Sequence, residues 1–179
     1  QSRIVATDPS LKPLAKILSG ELAKITGLNL AAADGDAKPG DIVLKIDPSL
    51  RADEDILTSR NLQFVRVRDY ADTFVVTNRV TVTGWDYRAC CEGTATLLQA
   101  VKVDKDGVSV PKLTIKDWPE ADYMGAMIDV ARQDIPIEAL KQSVEAMRLY
   151  KVRYCHFHLN DDQAWTFPSA AYPKLGNNN

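Results

Sequence analysis

Two short clusters in the last third of the chain carry the side chains best suited to chemistry. The first cluster, Asp129 and Arg132, closes an apolar run that begins at residue 124. The second cluster closes a similar run that begins at residue 152, and its members are His156, His158, Asp161, Asp162 and Trp165. A planar guanidinium can hold adjacent hydroxyls or a carboxylate, and carboxylates and imidazoles serve as acids, bases or metal ligands. The clusters therefore allow saccharide binding, acid/base catalysis or metal chemistry.

Each of these residues also has a structural interpretation. Arg132 can pair with a nearby Asp rather than with a ligand, and two adjacent acids are common in solvated turns. His156 and His158 share one face of a strand, since they are two apart, but buried hydrogen-bonded His are commoner than metal ligands. Trp165 can stack on a sugar ring or simply anchor its loop.

The elements around the clusters predict that they meet. The apolar runs 124–130 and 152–159 are typical of strands covered on both faces. Between them we expect a helix capped by Asp134, with Pro136 in its first turn. Its apolar stripe is Ile137, Leu140, Val144 and Met147. Strand–helix–strand connections give parallel strands and a right-handed crossover. Since the carboxyl ends of parallel strands face the ligand crevice, both clusters are predicted at one rim.

The first hundred residues predict a different architecture. Apolar spacing predicts a helix over 10–26, with Ser10 as cap and Gly27 as terminator, and a second helix from Asp86 to Ala100. Strand-prone runs lie at 42–46, 64–68, 73–77 and 79–83. This order indicates an α+β layer. A (β/α)8 barrel needs about 250 residues, so one strand–helix–strand unit predicts the start of a larger structure.

Composition narrows the function. The chain has 179 residues with 22 Lys+Arg and 24 Asp+Glu, and a net charge of −2 offers no basic surface for nucleic acid. No apolar run is long enough for a membrane span. The three Cys have no Cys-x-x-Cys spacing and are expected as buried thiols. The two His are both in the second cluster, so the chain cannot supply a three-His metal site.

Longer motifs resemble a known family. They are Ile115–Pro119, Tyr123–Arg132, Leu149–Lys151, His156–Trp165 and Tyr172–Leu175. In order and spacing they are similar to the opening of the catalytic barrel of family 20 β-N-acetylhexosaminidases. The preceding region, including Gly93–Gln99, resembles the small α+β domain that comes before that barrel. Met124, Gln133 and Asp134 depart from the usual residues of the family.

The resemblance implies a fold. We expect an α+β accessory domain, an antiparallel sheet with helices, over residues 1–112. The first βαβ unit of a truncated (β/α)8 TIM barrel is expected over residues 113–179.

The resemblance also implies an activity. Family members remove terminal β-linked N-acetylglucosamine or N-acetylgalactosamine with retention of configuration, and the acetamide of the substrate acts as nucleophile. An Asp orients the acetamide and the adjoining Glu is acid and then base; we expect both beyond residue 179. No catalytic residue is therefore assigned within the chain, and the 179 residues alone are expected to be inactive.

The resemblance also implies roles for individual residues of this chain. Arg132 matches the Arg that grips sugar hydroxyls, and Asp161, Asp162, His158 and Asp129 match supporting positions. The expected partner is an oligosaccharide or glycoconjugate that ends in an N-acetylhexosamine, with no nucleic acid and no membrane span. No cofactor or metal is expected. The chain begins Gln1-Ser2 without Met, as a processed chain does, and we expect an exported protein (periplasmic, cell-surface or secreted).

Two other functions stay open. The α+β layer can be a non-catalytic carbohydrate-binding or interaction module, which predicts saccharide binding without residues 120–179. Alternatively, His156, His158 and Asp161 can serve a metal-dependent hydrolase, which predicts bound zinc or manganese.

Overall fold

The computed structural model describes residues 2–51 and 71–175. The chain divides into two compact units, Gln1–Asp122 and Tyr123–Asn179. This division lies ten residues beyond the predicted boundary at 112/113, because the strand Thr114–Asp117 pairs with the sheet of the first unit. The predicted strand at 64–68 lies outside the described residues.

Within the described residues, the first unit is built on a sheet of six strands, which are β1 (Ile4–Ala6), β2 (Ala32–Ala33), β3 (Ile42–Ile46), β4 (Asp72–Val76), β5 (Val80–Gly84) and β8 (Thr114–Asp117). Across the sheet they lie in the order β2-β1-β3-β5-β4-β8. A separate exposed hairpin joins β6 (Lys102–Asp104) to β7 (Gly107–Ser109).

The expectation of an antiparallel sheet is wrong for most of this unit. Strands β2, β1, β3 and β5 are parallel, and only β4 runs antiparallel to its neighbours β5 and β8. The helix between β1 and β3 returns the chain to the end of the sheet where β1 began, so the two strands run in the same direction. Because β1 has only three residues, its alternation is too short to read from sequence.

Helix α1 (Lys12–Thr26) packs its apolar stripe into the core of the first unit. Leu14, Leu18 and Leu22 are buried, and burial of each such side chain contributes about 1.5–3 kcal/mol. Asp8, not Ser10, caps the preceding 3-10 turn, since its carboxylate accepts the backbone N–H of Ser10. Gly27 ends the helix in the left-handed conformation at φ 73°, as predicted.

Helix α2 (Tyr87–Ala100) begins at Asp86, whose carboxylate accepts the N–H of Ala89. Cys90 is fully buried in this helix, and burial is the main reason that its pKa rises to about 12. Cys91 is only half-buried and Cys155 is exposed, contrary to the expectation of three buried thiols. Its strand has a single neighbour in the described part of the second unit.

The second unit contains β9 (Gly125–Asp129), α3 (Ile137–Leu149) and β10 (Tyr154–His158). The strands are parallel, as predicted, with His158 opposite Asp129. Helix α3 begins after Pro136, which takes the cap position assigned to Asp134, and no side chain caps it. The strands are not covered on both faces, and Tyr154, Cys155 and His156 are exposed. Among the described helices, none has both the length and the apolar character needed to cross a bilayer.

Candidate functional site

The carboxyl ends of β9 and β10 bring the two sequence clusters together. The backbone N–H of Val130, just after β9, donates to the carbonyl of His158 at the end of β10 (3.1 Å). This pairing continues the parallel ladder to the strand ends, so the loops that follow leave the sheet side by side. Arg132 lies on the first loop and Asp161 on the second.

Asp129 shapes the first loop. Its Oδ1 accepts the backbone N–H groups of Ala131 and Arg132, both at 3.0 Å. An Asp that binds the N–H two residues later folds the chain into a tight turn. Asp129 therefore fixes the backbone from which the Arg132 side chain extends.

Arg132 is held by two carboxylates, that of Asp129 at the end of β9 and that of Asp161 on the loop after β10. Its Nε donates to Asp161 Oδ2 at 2.5 Å and lies 3.7 Å from Asp129 Oδ2. The hydrogen bond to Asp161 is the main reason that the pKa of Arg132 is raised. About half of the side chain is exposed, and no described residue accepts a hydrogen bond from its two terminal nitrogens. The group is thus fixed at Nε and open at its outer donors.

Asp161 is the most enclosed member of the site, with a side chain only 10% exposed. Its Oδ1 accepts the backbone N–H of Gln163 at 2.8 Å, which is the main reason that its pKa is lowered. The bond from Arg132 acts in the same direction, whereas burial opposes it. His158 Nε2 lies 3.5 Å from Asp161 Oδ2. The carboxylate is therefore kept charged opposite Arg132.

Asp162 is not brought into this group. It is exposed, and no hydrogen bond or ion pair of its side chain is found within residues 2–51 and 71–175. The sequence analysis assigned both Asp161 and Asp162 to supporting positions, whereas the structure places only Asp161 against Arg132.

The residues that could together bind a metal ion differ from the predicted set. Ligand atoms of Asp129, His158 and Asp161 lie within 4.8 Å of one another, whereas the exposed His156 is not in this set. The cation between the two acids is the Arg132 guanidinium. A metal ion would have to compete with it, which disfavours this use of the cluster.

A hollow of about 480 Å³ opens between the two loops. Residues 130–135 form one wall, residues 163–166 form another, and Leu140 and Leu159 complete the lining. Arg132 is part of the lining. Sequence reasoning did not identify Gln133, Asp134 or Gln163 as possible site residues, because polar loop residues carry no periodic signal.

Comparison with known families matches both units. Residues 1–118 match the model of glycosyl hydrolase family 20, domain 2, and residues 122–179 match that of the glycosyl hydrolase family 20 catalytic domain. The chain belongs to glycosyl hydrolase family 20.

Individual relatives agree with this membership. A beta-hexosaminidase of Porphyromonas gingivalis is 27% identical over 183 residues, which span 98% of this chain and 22% of the relative. A beta-hexosaminidase of Vibrio furnissii is 41% identical over 81 residues, or 45% of this chain and 13% of the relative.

Solved structures show the same fold. The GH20 exo beta-N-acetylglucosaminidase of Vibrio harveyi, solved in complex with N-acetylglucosamine, superposes with a TM-score of 0.79 at 24% identity. The match covers 99% of this chain and 25% of that enzyme. The chain thus spans about a quarter or less of the length of these relatives.

Proposed function

We propose that this chain is part of a glycosidase that removes terminal β-linked N-acetylglucosamine or N-acetylgalactosamine from oligosaccharides or glycoconjugates. Family membership supports the proposal, and the relatives are named for this activity or as N,N'-diacetylchitobiase. One observation of this chain carries it. Arg132 is fixed by carboxylates from two adjacent strand ends while its outer donors stay open, as a grip on adjacent sugar hydroxyls requires.

The second unit is, in this proposal, the first strand–helix–strand unit of a (β/α)8 barrel. The parallel pairing of β9 with β10 supports this assignment, as does the family match of residues 122–179. Active sites of such barrels lie at the carboxyl ends of the strands, where Arg132 and Asp161 lie in this chain.

The proposed reaction is retaining and substrate-assisted. The carbonyl oxygen of the 2-acetamido group attacks the anomeric carbon while the glycosidic oxygen leaves with a proton from a Glu. The resulting oxazolinium ion is opened by water, whose proton returns to the same Glu. We place that Glu and the Asp that orients the acetamide outside residues 1–179. The part played by this chain is to hold the sugar by Arg132.

The test is hydrolysis of p-nitrophenyl N-acetyl-β-glucosaminide by the full-length protein, with Arg132→Ala and Arg132→Lys beside it. Charged hydrogen bonds contribute roughly 1.5–3 kcal/mol each, and 1.4 kcal/mol is a factor of ten. We therefore expect Arg132→Ala to lower kcat/KM by about a hundredfold. Arg132→Lys should recover little, since an ammonium cannot reproduce the planar donors.

The control is Arg79→Ala, which removes an exposed guanidinium in the first unit. Its kcat/KM should match that of the unaltered protein. Full activity of Arg132→Ala would contradict the proposed grip. Equal turnover of the corresponding β-glucoside, which lacks the acetamide, would contradict the substrate-assisted reaction.

The alternative functions make separate predictions. A hollow of about 300 Å³ in the first unit has a mainly aliphatic lining with no aromatic side chain, which does not suit sugar stacking. Saccharide binding by residues 1–119 alone would support the binding module. Stoichiometric zinc or manganese in the purified protein would support the metal-dependent hydrolase.

A further inference from the structure

The first unit contains a hollow of about 300 Å³ that the proposed function does not use. We call it the aliphatic hollow. The last turns of α1 and α2, the first residues of β3 and β5, the loop 28–30 and the segment 108–110 line it, together with Ser2 and Gly40. Its volume lies at the lower end of the roughly 300–1,000 Å³ that is usual for small-ligand sites.

The floor of the aliphatic hollow is made of hydrocarbon. Leu22, Ile42 and Leu97 line the hollow and are buried in the first unit. A buried water molecule needs about two to four polar partners, and these side chains supply none. The floor therefore suits the hydrocarbon part of a ligand better than it suits water.

The wall formed by residues 28–30 is held in place by hydrogen bonds. The backbone N–H of Leu28 donates to Thr26 Oγ1 at 3.1 Å, and Ser19 Oγ donates to the carbonyl of Leu30 at 2.6 Å. Because this loop is already fixed, a ligand does not have to order it, and less of the binding energy is lost.

The mouth of the aliphatic hollow carries uncharged polar groups. Ser2, Asn29 and Ser109 line the hollow and are exposed, and their hydroxyl and amide groups donate and accept hydrogen bonds. The described residues that line the hollow include no Asp, Glu, Lys, Arg or His. A charged head group would lose water here without gaining an ion-pair partner, whereas a hydroxyl head matches the mouth.

We propose that the aliphatic hollow binds the alkyl chain of an uncharged single-chain lipid, whose hydroxyl head lies at the mouth among Ser2, Asn29 and Ser109. The lining described above is aliphatic and lacks an aromatic side chain, which favours a flexible alkyl chain over a ring that would stack. This inference goes beyond the proposed glycosidase function and does not depend on it.

The first test is binding of 1-butanol, 1-hexanol and 1-octanol to the full-length protein, measured by titration calorimetry. Each step in this series adds two CH2 groups, so the affinity should rise about tenfold per step. Octanoate, ionised at pH 8, should bind at least about tenfold more weakly than 1-octanol, because its carboxylate meets no cation at the mouth.

A matched pair of substitutions tests the position of the alkyl chain. Leu28 is 48% exposed and lines the hollow, whereas Ile25 is 46% exposed and lies outside it. Leu28→Glu places a carboxylate at the mouth and should weaken binding of 1-octanol at least about tenfold. Ile25→Glu should bind 1-octanol as the unaltered protein does.

A second pair tests the volume of the hollow. Val108 lines the hollow, and Val103, on the other strand of the same hairpin, does not. Val108→Phe occupies part of the space and should weaken binding of 1-octanol about tenfold, whereas Val103→Phe should leave it unchanged. Thermal unfolding identifies any variant that does not fold, and the other pair then decides.

Absence of 1-octanol binding, or an affinity that does not increase with chain length, would overturn the inference. Equal effects within each pair of variants would also overturn it, since the alkyl chain would then bind elsewhere. Octanoate bound as tightly as 1-octanol would contradict the uncharged head. All four variants should hydrolyse the aryl N-acetylglucosaminide as the unaltered protein does, so failure of the glycosidase proposal would leave these binding results standing.

Discussion

The hydrogen-bond donors of the Arg132 guanidinium serve two different purposes. Nε is used within the protein, where it joins the loops after β9 and β10, and the terminal nitrogens remain for a ligand. A side chain that is already fixed loses less rotamer freedom when it binds, so more of its hydrogen-bond energy appears as affinity. Asp161 matters to a ligand through this fixation, as a positioning residue.

Asp161→Asn tests that role, since it keeps the shape of the side chain and removes its charge. We expect kcat/KM for the aryl N-acetylglucosaminide to fall about tenfold, with Arg132 less well held. The same substitution at the exposed Asp162 should lower kcat/KM by a smaller factor. A larger loss at Asp162 than at Asp161 would contradict the assignment of Asp161 as the partner of Arg132.

A second ion pair has a role in stability. Asp41 is buried, and Arg3 donates to both of its carboxylate oxygens through Nε and Nη2. This side-chain bond, followed by the backbone N–H of Lys38, lowers the pKa of Asp41 from 3.8 to about 2. Because the folded-state pKa is the lower one, the stabilisation is complete above the unfolded value and is lost as pH falls from about 4 towards 2.

Asp41→Asn should therefore lower the melting temperature by several degrees at pH 7, and the difference from the unaltered chain should shrink towards pH 2. Thermal unfolding followed by circular dichroism between pH 2 and 7 measures this. Asp106→Asn, in the exposed hairpin turn, is the control. A difference that stays constant with pH would show that the pair does not carry the effect.

At the scale of elements, β5 and α2 approach closely at Gly84. A Cβ at this position would lie 2.0 Å from the backbone N of Cys90. The obstacle is backbone, so a larger residue at 84 requires the helix to move. Glycine at 84 is thus required by the packing of helix on strand.

We expect Gly84→Ala to destabilise the chain by about 1–3 kcal/mol, the usual cost of overpacking, or by more if α2 cannot move. Gly20→Ala in α1 is the matched control, because nothing lies within 4 Å of the added carbon. It should stabilise by about 0.5–1 kcal/mol, since Ala favours a helix over Gly. Urea unfolding measures both changes, and equal effects would contradict the close approach.

The sequence predicted the long elements well and the short ones poorly. Gly27 and Asp86 mark helix ends by local chemistry, and β3 is a single β-prone run, so each could be read without tertiary information. The three-residue β1 and the direction of its pairing depend on contacts distant in sequence. The cap at Pro136 also differed from the prediction of Asp134, because Asp is a preferred capping residue by type, whereas the structure begins the helix two residues later.

The candidate site, too, could be predicted only in part. The convergence of Arg132 with Asp161 follows from the strand–helix–strand pattern, and the structure bears out this geometry. The choice between Asp161 and Asp162 could not be made, because it depends on which side chain the loop turns inward.

At the scale of the molecule, the two units differ in how much they bury. All buried hydrophobic residues found in the described ranges belong to the first unit except Ala131, and α3 has no buried residue. Residues Ile137 and Met127 are more than half exposed. In the 179-residue chain taken alone, low burial of this kind goes with local opening at small free-energy cost.

The purified 179-residue chain should show no turnover of the aryl N-acetylglucosaminide, because we assign neither the acid/base Glu nor the acetamide-orienting Asp to it. The measurement is release of p-nitrophenol, with the full-length protein as positive control. Turnover by the 179-residue chain that disappears in Arg132→Ala would overturn this assignment.

The place of β8 in the sheet has a consequence for biosynthesis. Strand β8 is the outermost strand beside β4, yet it is made last of the six. On a translating ribosome the sheet therefore stays one strand short until residues 114–117 have emerged. Only seven residues then separate β8 from β9. The catalytic-domain segment accordingly leaves the ribosome just as the preceding unit becomes able to complete its folding.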